Sequence, residues 1–348
     1  MTSTPHRVLV VGTGSIARRH LENVRALQPS VPLAVASAVD GRRVPSEMRR
    51  LADSAFESWD AALRWAPTVA IVANPAPFHL ETAELLADHR VHLLVEKPFS
   101  TSSAGVEELI LKCRNRALVL LVGYCLRFSR SLQALREVVA SGEIGRPHGL
   151  RVEVGQFLPE WRPGTDYRRG VTARRALGGG ALFELSHELD AALWVLGPAE
   201  VAGATLDRVG ALDIDAEDSA DVILRFENGA IGTVHMDLLQ QPSCRAYKVW
   251  GDAGATTWDG ITGEVRLYSV HRGAWETTMT ADPVGNSLLI RELSHLFACI
   301  DGCAQPEVTG EDGLAVVRLI EAVRASTNGL LADEVTAGAP RASEIGHG

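Results

Sequence analysis

The chain has no surplus of positive charge. Its 34 lysines and arginines are outnumbered by 43 aspartates and glutamates, giving a net charge of −9. A nucleic-acid partner needs basic groups to offset phosphates, so that class is excluded. Long apolar runs are missing as well. None approaches the ~20 residues that cross a bilayer, and no signal peptide precedes the first strand-like run, so no membrane association is expected. The five cysteines include no C-x-x-C pair, which argues against a disulfide framework and for a reducing, cytoplasmic compartment. Cys299 and Cys303 lie four apart on an expected helix, where two buried thiols on one face are a better reading than zinc. No other cluster has metal-ligand spacing, and no metal is expected. Internal repeats and low-complexity stretches are absent. Lysine itself is scarce, with Lys97, Lys112 and Lys248 the only three.

What is present is an ordinary globular composition, 46% hydrophobic and 22% charged over 348 residues, long enough for two domains. Up to residue 125 the chain alternates strand-like and helix-like runs. Strands are expected at 8–11, 33–38, 68–73, 91–95 and 117–123, with helices at 15–28, after Pro77 and at 102–116. Near-continuous apolar strands between helices imply a parallel sheet covered on both faces, a Rossmann-type α/β domain. Beyond residue 126 the pattern changes. Helices are expected at 129–141, 181–196, 288–299 and 311–326, and alternating strands at 148–157, 219–226 and 230–239, the last two joined by a type I′ turn at Asn228-Gly229. Further strand-like pieces follow near 246–250, 256–259, 265–269 and 275–279, which together describe an α+β domain.

Three features carry chemistry. Residues 8–11 lead straight into Gly12-Thr13-Gly14-Ser15-Ile16-Ala17, a strand turning tightly into a helix whose N-terminus favours an anion. That context is what a dinucleotide motif requires, and the alternative is a glycine-rich turn without a ligand. Lys97, between Glu96 and Pro98 at the carboxyl end of the fourth expected strand, points toward the same crevice. In a chain that otherwise uses arginine, a lysine there suggests that a compact ammonium is needed, the alternative being a solvated loop lysine paired with Glu96. Glu184, His187 and Asp190 stand at i, i+3 and i+6 after Gly178-Gly179-Gly180. On one helix the two carboxylates flank the imidazole and fix its tautomer. The alternative is a hydrogen-bonded core histidine.

In order and at matching separations, the glycine turn, Asn74-Pro75, Glu96-Lys97-Pro98, Gly178-Gly179-Gly180 and His187-x-x-Asp190 resemble the Gfo/Idh/MocA oxidoreductases, the glucose–fructose oxidoreductase and inositol dehydrogenase family. Gly123-Tyr124, Arg127-Phe128, Ser141-Gly142-Glu143-Ile144-Gly145 and Gly310-Glu311-Asp312-Gly313-Leu314 extend the resemblance over essentially the whole chain. It implies an NAD(P)-binding Rossmann domain over residues 1–125. Residues 126–348 then form a substrate-binding domain on a large open antiparallel sheet, which also assembles a homodimer or homotetramer. The coenzyme contacts implied are Gly12, Gly14, Ser15, Ile16, Ala17, Asn74, Pro75, His79, Glu96 and Lys97.

The resemblance further implies hydride transfer at a hydroxyl or ketone carbon of a sugar, nucleotide-sugar or cyclitol. His187 is then the general acid/base, Lys97 holds the oxygen, and Glu184 or Asp190 orients the imidazole. One departure stands out. Many members carry an acid four residues before the histidine, where this chain has Phe183. Glu184, in Glu184-Leu185-Ser186-His187, is the substitute, as in a subgroup of the family. At the end of the second strand Ser37-Ala38 replaces the acid of an NAD enzyme, and Arg42 and Arg43 follow Asp40. That points to NADP, with NAD as the alternative. Substrate groups are expected from Lys97, Tyr124, Arg127, Trp161, Arg162, Tyr167, His187 and Asp190, with His235 and Asp237 in reserve; aromatic faces beside hydrogen-bonding groups suit a sugar ring. The competing functions are a hydrolase or epimerase that retains its NAD, and a non-catalytic nucleotide-sensing protein.

Overall fold

The computed structural model describes residues 6–281 and 283–337, with backbone alone for 328–337. The first lobe is a six-stranded parallel sheet of β1 (Val8–Val11), β2 (Leu33–Ala36), β3 (Ser54–Phe56), β4 (Val69–Val72), β5 (His92–Val95) and β6 (Leu120–Val122). Helices α1 (Ser15–Leu27), α2 (Ser46–Arg49), α3 (Trp59–Arg64), α4 (His79–Asp88) and α5 (Val106–Asn115) connect them. Strand order is β3-β2-β1-β4-β5-β6, so the direction of winding reverses between β1 and β4. Ligands of open α/β sheets bind outside the carboxyl ends at such a switch point. β1 and β4 are fully buried, as expected of strands covered on both faces. β3, absent from the sequence reading, is a three-residue, half-buried edge strand whose pattern is too short to register.

The second lobe is an eight-stranded open sheet. Its strands are β7 (Pro147–Gly155), β8 (Ala199–Asp207), β9 (Ser219–Phe226), β10 (Ile231–Asp237), β11 (Cys244–Gly251), β12 (Gly254–Asp259), β13 (Glu264–Ser269) and β14 (Ala274–Thr280). The order is β14-β13-β12-β11-β7-β10-β9-β8. All neighbours are antiparallel except β7 and β10. β7, first in sequence, lies mid-sheet between two later strands and runs with one of them. Its alternation buries Leu150, Val152 and Val154 and exposes Arg151 and Glu153. One face packs on α6 (Arg130–Ala140), α7 (Ala181–Glu184) and α8 (His187–Leu196). The opposite face is polar. The β9–β10 turn corrects the type I′ expectation: Gly229 has φ +88°, but Asn228 is not in the positive-φ region. Gly229 N–H donates to Phe226 O, and Phe226 N–H donates to Ala230 O, a type I turn closed by a left-handed glycine.

The helix expected over 181–196 is broken. α7 ends at Glu184, and α8 starts afresh at His187 after Leu185 and Ser186. The histidine thereby becomes the first residue of a helix. α9 (Asn286–Ile300) returns to the first lobe, where Asn286 and Asn23 of α1 exchange side-chain hydrogen bonds of 2.8 and 3.1 Å. α10 (Gly310–Ala337) packs on α5, α8, β6 and β8 and so touches both lobes.

Candidate active site

β1 passes the end of β4 so closely that a Cβ at Gly12 would lie 2.4 Å from Ala73 O, and φ there is +130°. Only glycine fits. Gly14, at the N-cap of α1, faces open space, with no atom within 4 Å of where a Cβ would stand. No side chain caps this helix and no acid occupies its first turn, so the amides of Ser15, Ile16 and Ala17 have no intrahelical acceptor. That donor set, at the switch point, fits the pyrophosphate of a dinucleotide. Beyond β2, Ser37 Oγ is turned inward onto Val39 O at 2.9 Å. Asp40 spends its carboxylate on the Trp59 amide at 2.9 Å. Arg42 and Arg43 are exposed and hold no ion pair among the described residues.

At the end of β5, Glu96 is buried and accepts from two sides. Its Oε1 lies 2.6 Å from His20 Nε2, and its Oε2 takes the Lys97 amide at 3.1 Å. Burial pushes this carboxyl up, but His20 and Lys97 outweigh that and hold it below its ordinary range. The Lys97 ammonium reaches across to α7, 2.5 Å from Glu184 O and 3.2 Å from Glu184 Oε1. Glu184 Oε2 accepts from Thr172 at 3.0 Å. Burial again opposes ionisation, and Lys97 and Thr172 overcome it, so Glu184 is a carboxylate.

The triple glycine explains how α7 comes this close. A Cβ at Gly179 would stand 2.5 Å from Val171 O, and one at Gly180 (φ +103°) 2.3 Å from Glu217 Oε1. The 3-10 turn carrying Thr172 and the Glu217 carboxylate therefore pack directly against the start of α7. Phe183 turns into the core, its ring 4.2 Å from the Arg324 guanidinium carbon.

His187 opens α8, with the Tyr124 ring edge-on at 5.6 Å. Its Nδ1 is sealed from solvent without a partner, which leaves Nε2 as the nitrogen in contact with solvent. Burial first, then the charges of Lys97 and Arg245, push the imidazole well below the usual histidine range. The positive end of α8 acts in the same sense. The imidazole is therefore neutral at neutral pH.

Several expectations need correction. Neither Glu184 nor Asp190 orients the imidazole: Glu184 is bound to Lys97 and Thr172, and Asp190 to Arg127 through contacts of 2.6 and 3.0 Å. Arg127 also pairs with Asp312 at 3.2 Å. Arg127 and Asp190 are thus buried on each other rather than offered to a substrate. Burial lifts the Asp190 carboxyl to about 6 despite that partner. Tyr124 is fully buried behind His187 rather than open to a substrate. His79 is not open to a coenzyme. Its Nδ1 and Nε2 lie 2.9 Å from Pro98 O and 2.7 Å from Asn74 O, so the ring clamps the two loops together and has no free nitrogen. Of the two thiols expected to be buried, Cys299 is and Cys303 is exposed, since the helix ends at Ile300.

The remaining positions are spread out. Asn74 holds Thr82 at 2.9 Å, and Pro75 precedes a 3-10 turn beside the cradle. Trp161 Nε1 donates to Gln156 O at 3.0 Å, and the Tyr167 hydroxyl accepts from the Asp213 amide at 3.2 Å. Arg162 is exposed and near enough for Glu184 to feel its charge. His235, between Asp221 at 2.9 Å and Asp237 at 3.0 Å, lies on the polar sheet face. No group of described residues could hold a metal, and no described helix is long and apolar enough to cross a membrane.

The sequence reading missed Thr172, Ser186, Glu217 and a buried trio in which Glu188 receives the Tyr247 hydroxyl and pairs with Arg245 at 2.9 Å. The one available signal was Arg245 itself, a charge on the inward-facing alternation of β11 with Tyr247 and Val249.

Comparison with known proteins places these features in a family. A model described as an oxidoreductase family with an NAD-binding Rossmann fold matches residues 6–124, and the GFO/IDH/MocA C-terminal domain model matches residues 132–257. The chain is 28% identical over 238 residues to the myo-inositol 2-dehydrogenase of Thermotoga maritima, covering 66% of this chain and 67% of that one. It is 28% identical over 272 residues to the UDP-N-acetylglucosamine 3-dehydrogenase of Acidithiobacillus ferrooxidans, covering 77% and 78%. The structure of GenD2 from gentamicin A biosynthesis, solved with NAD, superposes with a TM-score of 0.77 at 26% identity, over 94% of this chain and 95% of that one. With matches that reach into both sheets, the chain belongs to the Gfo/Idh/MocA oxidoreductases, dehydrogenases built on an NAD-binding Rossmann domain.

Proposed function

We propose that the chain moves a hydride between a nicotinamide coenzyme and a hydroxyl or ketone carbon of a sugar, nucleotide-sugar or cyclitol. The observation that carries this is the meeting of two lobes: the Lys97 ammonium, held by Glu184, beside a neutral His187. With its pyrophosphate on the cradle of Gly12, Gly14, Ser15, Ile16 and Ala17, the coenzyme would supply the hydride chemistry through its nicotinamide. The protein's own groups manage the proton. In oxidation, His187 Nε2 accepts the hydroxyl proton while Lys97 stabilises the negative charge developing on oxygen. In reduction, His187 returns that proton to the forming alkoxide. Glu184 touches neither atom directly; it fixes the ammonium.

Residues 1–125 would serve as the coenzyme domain and 126–348 as the substrate domain, with Trp161, Arg162 and Tyr167 of the 158–175 segment lining the sugar. We assign NADP over NAD. Position 38 offers no acid to a 2′-hydroxyl, Asp40 is committed to Trp59, and Arg42 and Arg43 are free to meet a 2′-phosphate. Homodimers, or tetramers built from them, would form through the polar face of the second sheet. There Arg151, Lys248 and Arg266 share one register row, and Asp221, Glu153, Asp259 and Glu264 the next. A twofold axis between the rows lays the basic row of one copy over the acidic row of the other. All five cysteines are free thiols, in keeping with work in the cytoplasm. The test is a panel of sugars, cyclitols and nucleotide-sugars with NAD⁺ and NADP⁺. Reduced coenzyme formed in step with product supports the assignment; coenzyme binding without turnover on any of them opposes it.

A further inference from the structure

Three buried side-chain atoms in one corner of the site make no hydrogen bond of good geometry: His187 Nδ1, the Tyr124 hydroxyl and Ser186 Oγ, the two hydroxyls lying near enough to each other to interact. Ser186 is the N-cap residue of α8 and His187 its first residue, while Tyr124 follows β6 and sets its ring edge-on to the imidazole. Tyr124 and Ser186 are both 0% exposed. Leaving a buried polar atom unpaired is costly, so three together call for an account. They are chemically complementary. A neutral imidazole has one N–H and one lone pair, and each hydroxyl both donates and accepts. The carboxylates that commonly take the second N–H of a catalytic histidine are engaged elsewhere. Glu184 holds Lys97 and Thr172, Asp190 holds Arg127, and Glu188 holds Arg245 and Tyr247.

We propose that Tyr124 and Ser186 are positioning residues for His187. The Nδ1–H donates to one of their hydroxyl oxygens, after a small rotation of that hydroxyl's side chain or across one bridging water, and this fixes the tautomer in which Nε2 carries the lone pair. The inference rests on the reading of His187 as the group that takes the substrate proton. Its chemistry is conservative. When Nε2 accepts that proton the ring becomes an imidazolium, the Nδ1 proton stays where it is, and the hydroxyl dipoles meet the new charge. Burial keeps the Tyr124 phenol protonated, so it accepts the hydrogen bond without removing the proton. Phenylalanine at 124 would preserve the packing and lose this function.

The experiment uses the full chain with ¹⁵N-labelled histidine, with and without NAD⁺, as wild type, Tyr124→Phe, Ser186→Ala and the double variant. Long-range ¹H–¹⁵N NMR at neutral pH reads the tautomer of His187, whose signals are assigned by their loss in His187→Gln. The expected result is the Nδ1–H form in the wild type and a mixture, or the Nε2–H form, in the double variant. On any sugar that supports turnover, kcat should fall about ten- to a hundredfold with KM little changed, because a hydrogen bond to a forming cation is lost. Ser186→Thr, which keeps the hydroxyl, should restore most of the loss. A wild-type His187 in the Nε2–H form, or a double variant with an unchanged tautomer, overturns the proposal. A tautomer that responds as expected in a protein that oxidises no sugar upholds the positioning role and counts against the hydride-transfer reading alone. If single substitutions unfold the chain, the wild-type tautomer still decides.

Discussion

Replacing Glu184 by glutamine removes one charge from the contact between the lobes and keeps its shape. In the native site the carboxylate receives the Lys97 ammonium at 3.2 Å and the Thr172 hydroxyl at 3.0 Å. Glutamine retains an oxygen for one of these, and Lys97 keeps the Glu184 main-chain carbonyl at 2.5 Å. What disappears is the charge-assisted part of the interaction, about 1–1.5 kcal/mol by the difference between charged and neutral hydrogen bonds. The groups are 15% and 22% exposed, which screens the pair only modestly. The variant should therefore melt about 1.5–2 °C lower at pH 7. Its turnover should fall about tenfold, as an unanchored ammonium stabilises the developing oxyanion less well, while coenzyme affinity stays near wild type. The pH dependence has a definite sign. The Glu184 carboxyl is held below its ordinary value, so its contribution is complete above the unfolded glutamate range and lost as pH falls through the lowered folded value. The difference in melting temperature between wild type and Glu184→Gln should shrink as pH is taken below about 4.5. Melting curves from pH 7 to pH 3.5 with steady-state kinetics at pH 7 measure all of this. A variant that melts and turns over like the wild type would refute the coupling of Glu184 to Lys97.

Other outcomes follow from the same geometry. His187→Gln should cost about 10²–10⁴ in the oxidation rate. The wild-type rate should fall with acid only below the usual histidine range, because the imidazole is held down by burial and by Lys97 and Arg245; an acid limb at or above that range would contradict this. Ala38→Asp should move coenzyme preference toward NAD, and an unchanged ratio of NAD to NADP affinities would mean that the 2′-position lies elsewhere. Arg127→Leu leaves the Asp190 carboxylate buried and unpaired, and should destabilise by about 3–5 kcal/mol, read as a clear loss in denaturant midpoint. A midpoint within error of wild type would refute the reading of Arg127 as the group that neutralises buried Asp190.

The parts of the molecule legible in the sequence are those written locally. Buried strands such as Val8–Val11 and Val69–Val72 are unbroken apolar runs, and Ser219–Phe226 alternates cleanly because one face is solvated. Ala199–Asp207 was not legible: it contains Gly203 and keeps a single buried residue, Ala204. The break before His187 is hidden because Leu182, Leu185, Leu189 and Leu193 keep a helical rhythm across it. Gly12 and Lys97 could be picked out because turn chemistry and a strand end constrain them, whereas His187 stood out only by its spacing after the triple glycine and by the family resemblance. Their partners could not. Lys97 meets Glu184 across 87 positions and Arg127 meets Asp190 across 63, and no local pattern says which of several carboxylates a cation will find. That is why the acid flanking His187 in sequence proved to serve Lys97, and why Arg127, an apparent substrate ligand, is structural.

We propose that an ammonium from one lobe and an imidazole from the other act on the same oxygen. Lys97→Met separates this from a binding role when the dissociation constant of the coenzyme is compared with the rate of hydride transfer in a single turnover. The dissociation constant should stay close to wild type while the transfer rate falls by about 10²–10³. A transfer rate that survives the substitution, or one that falls only in proportion to lost coenzyme binding, would contradict it.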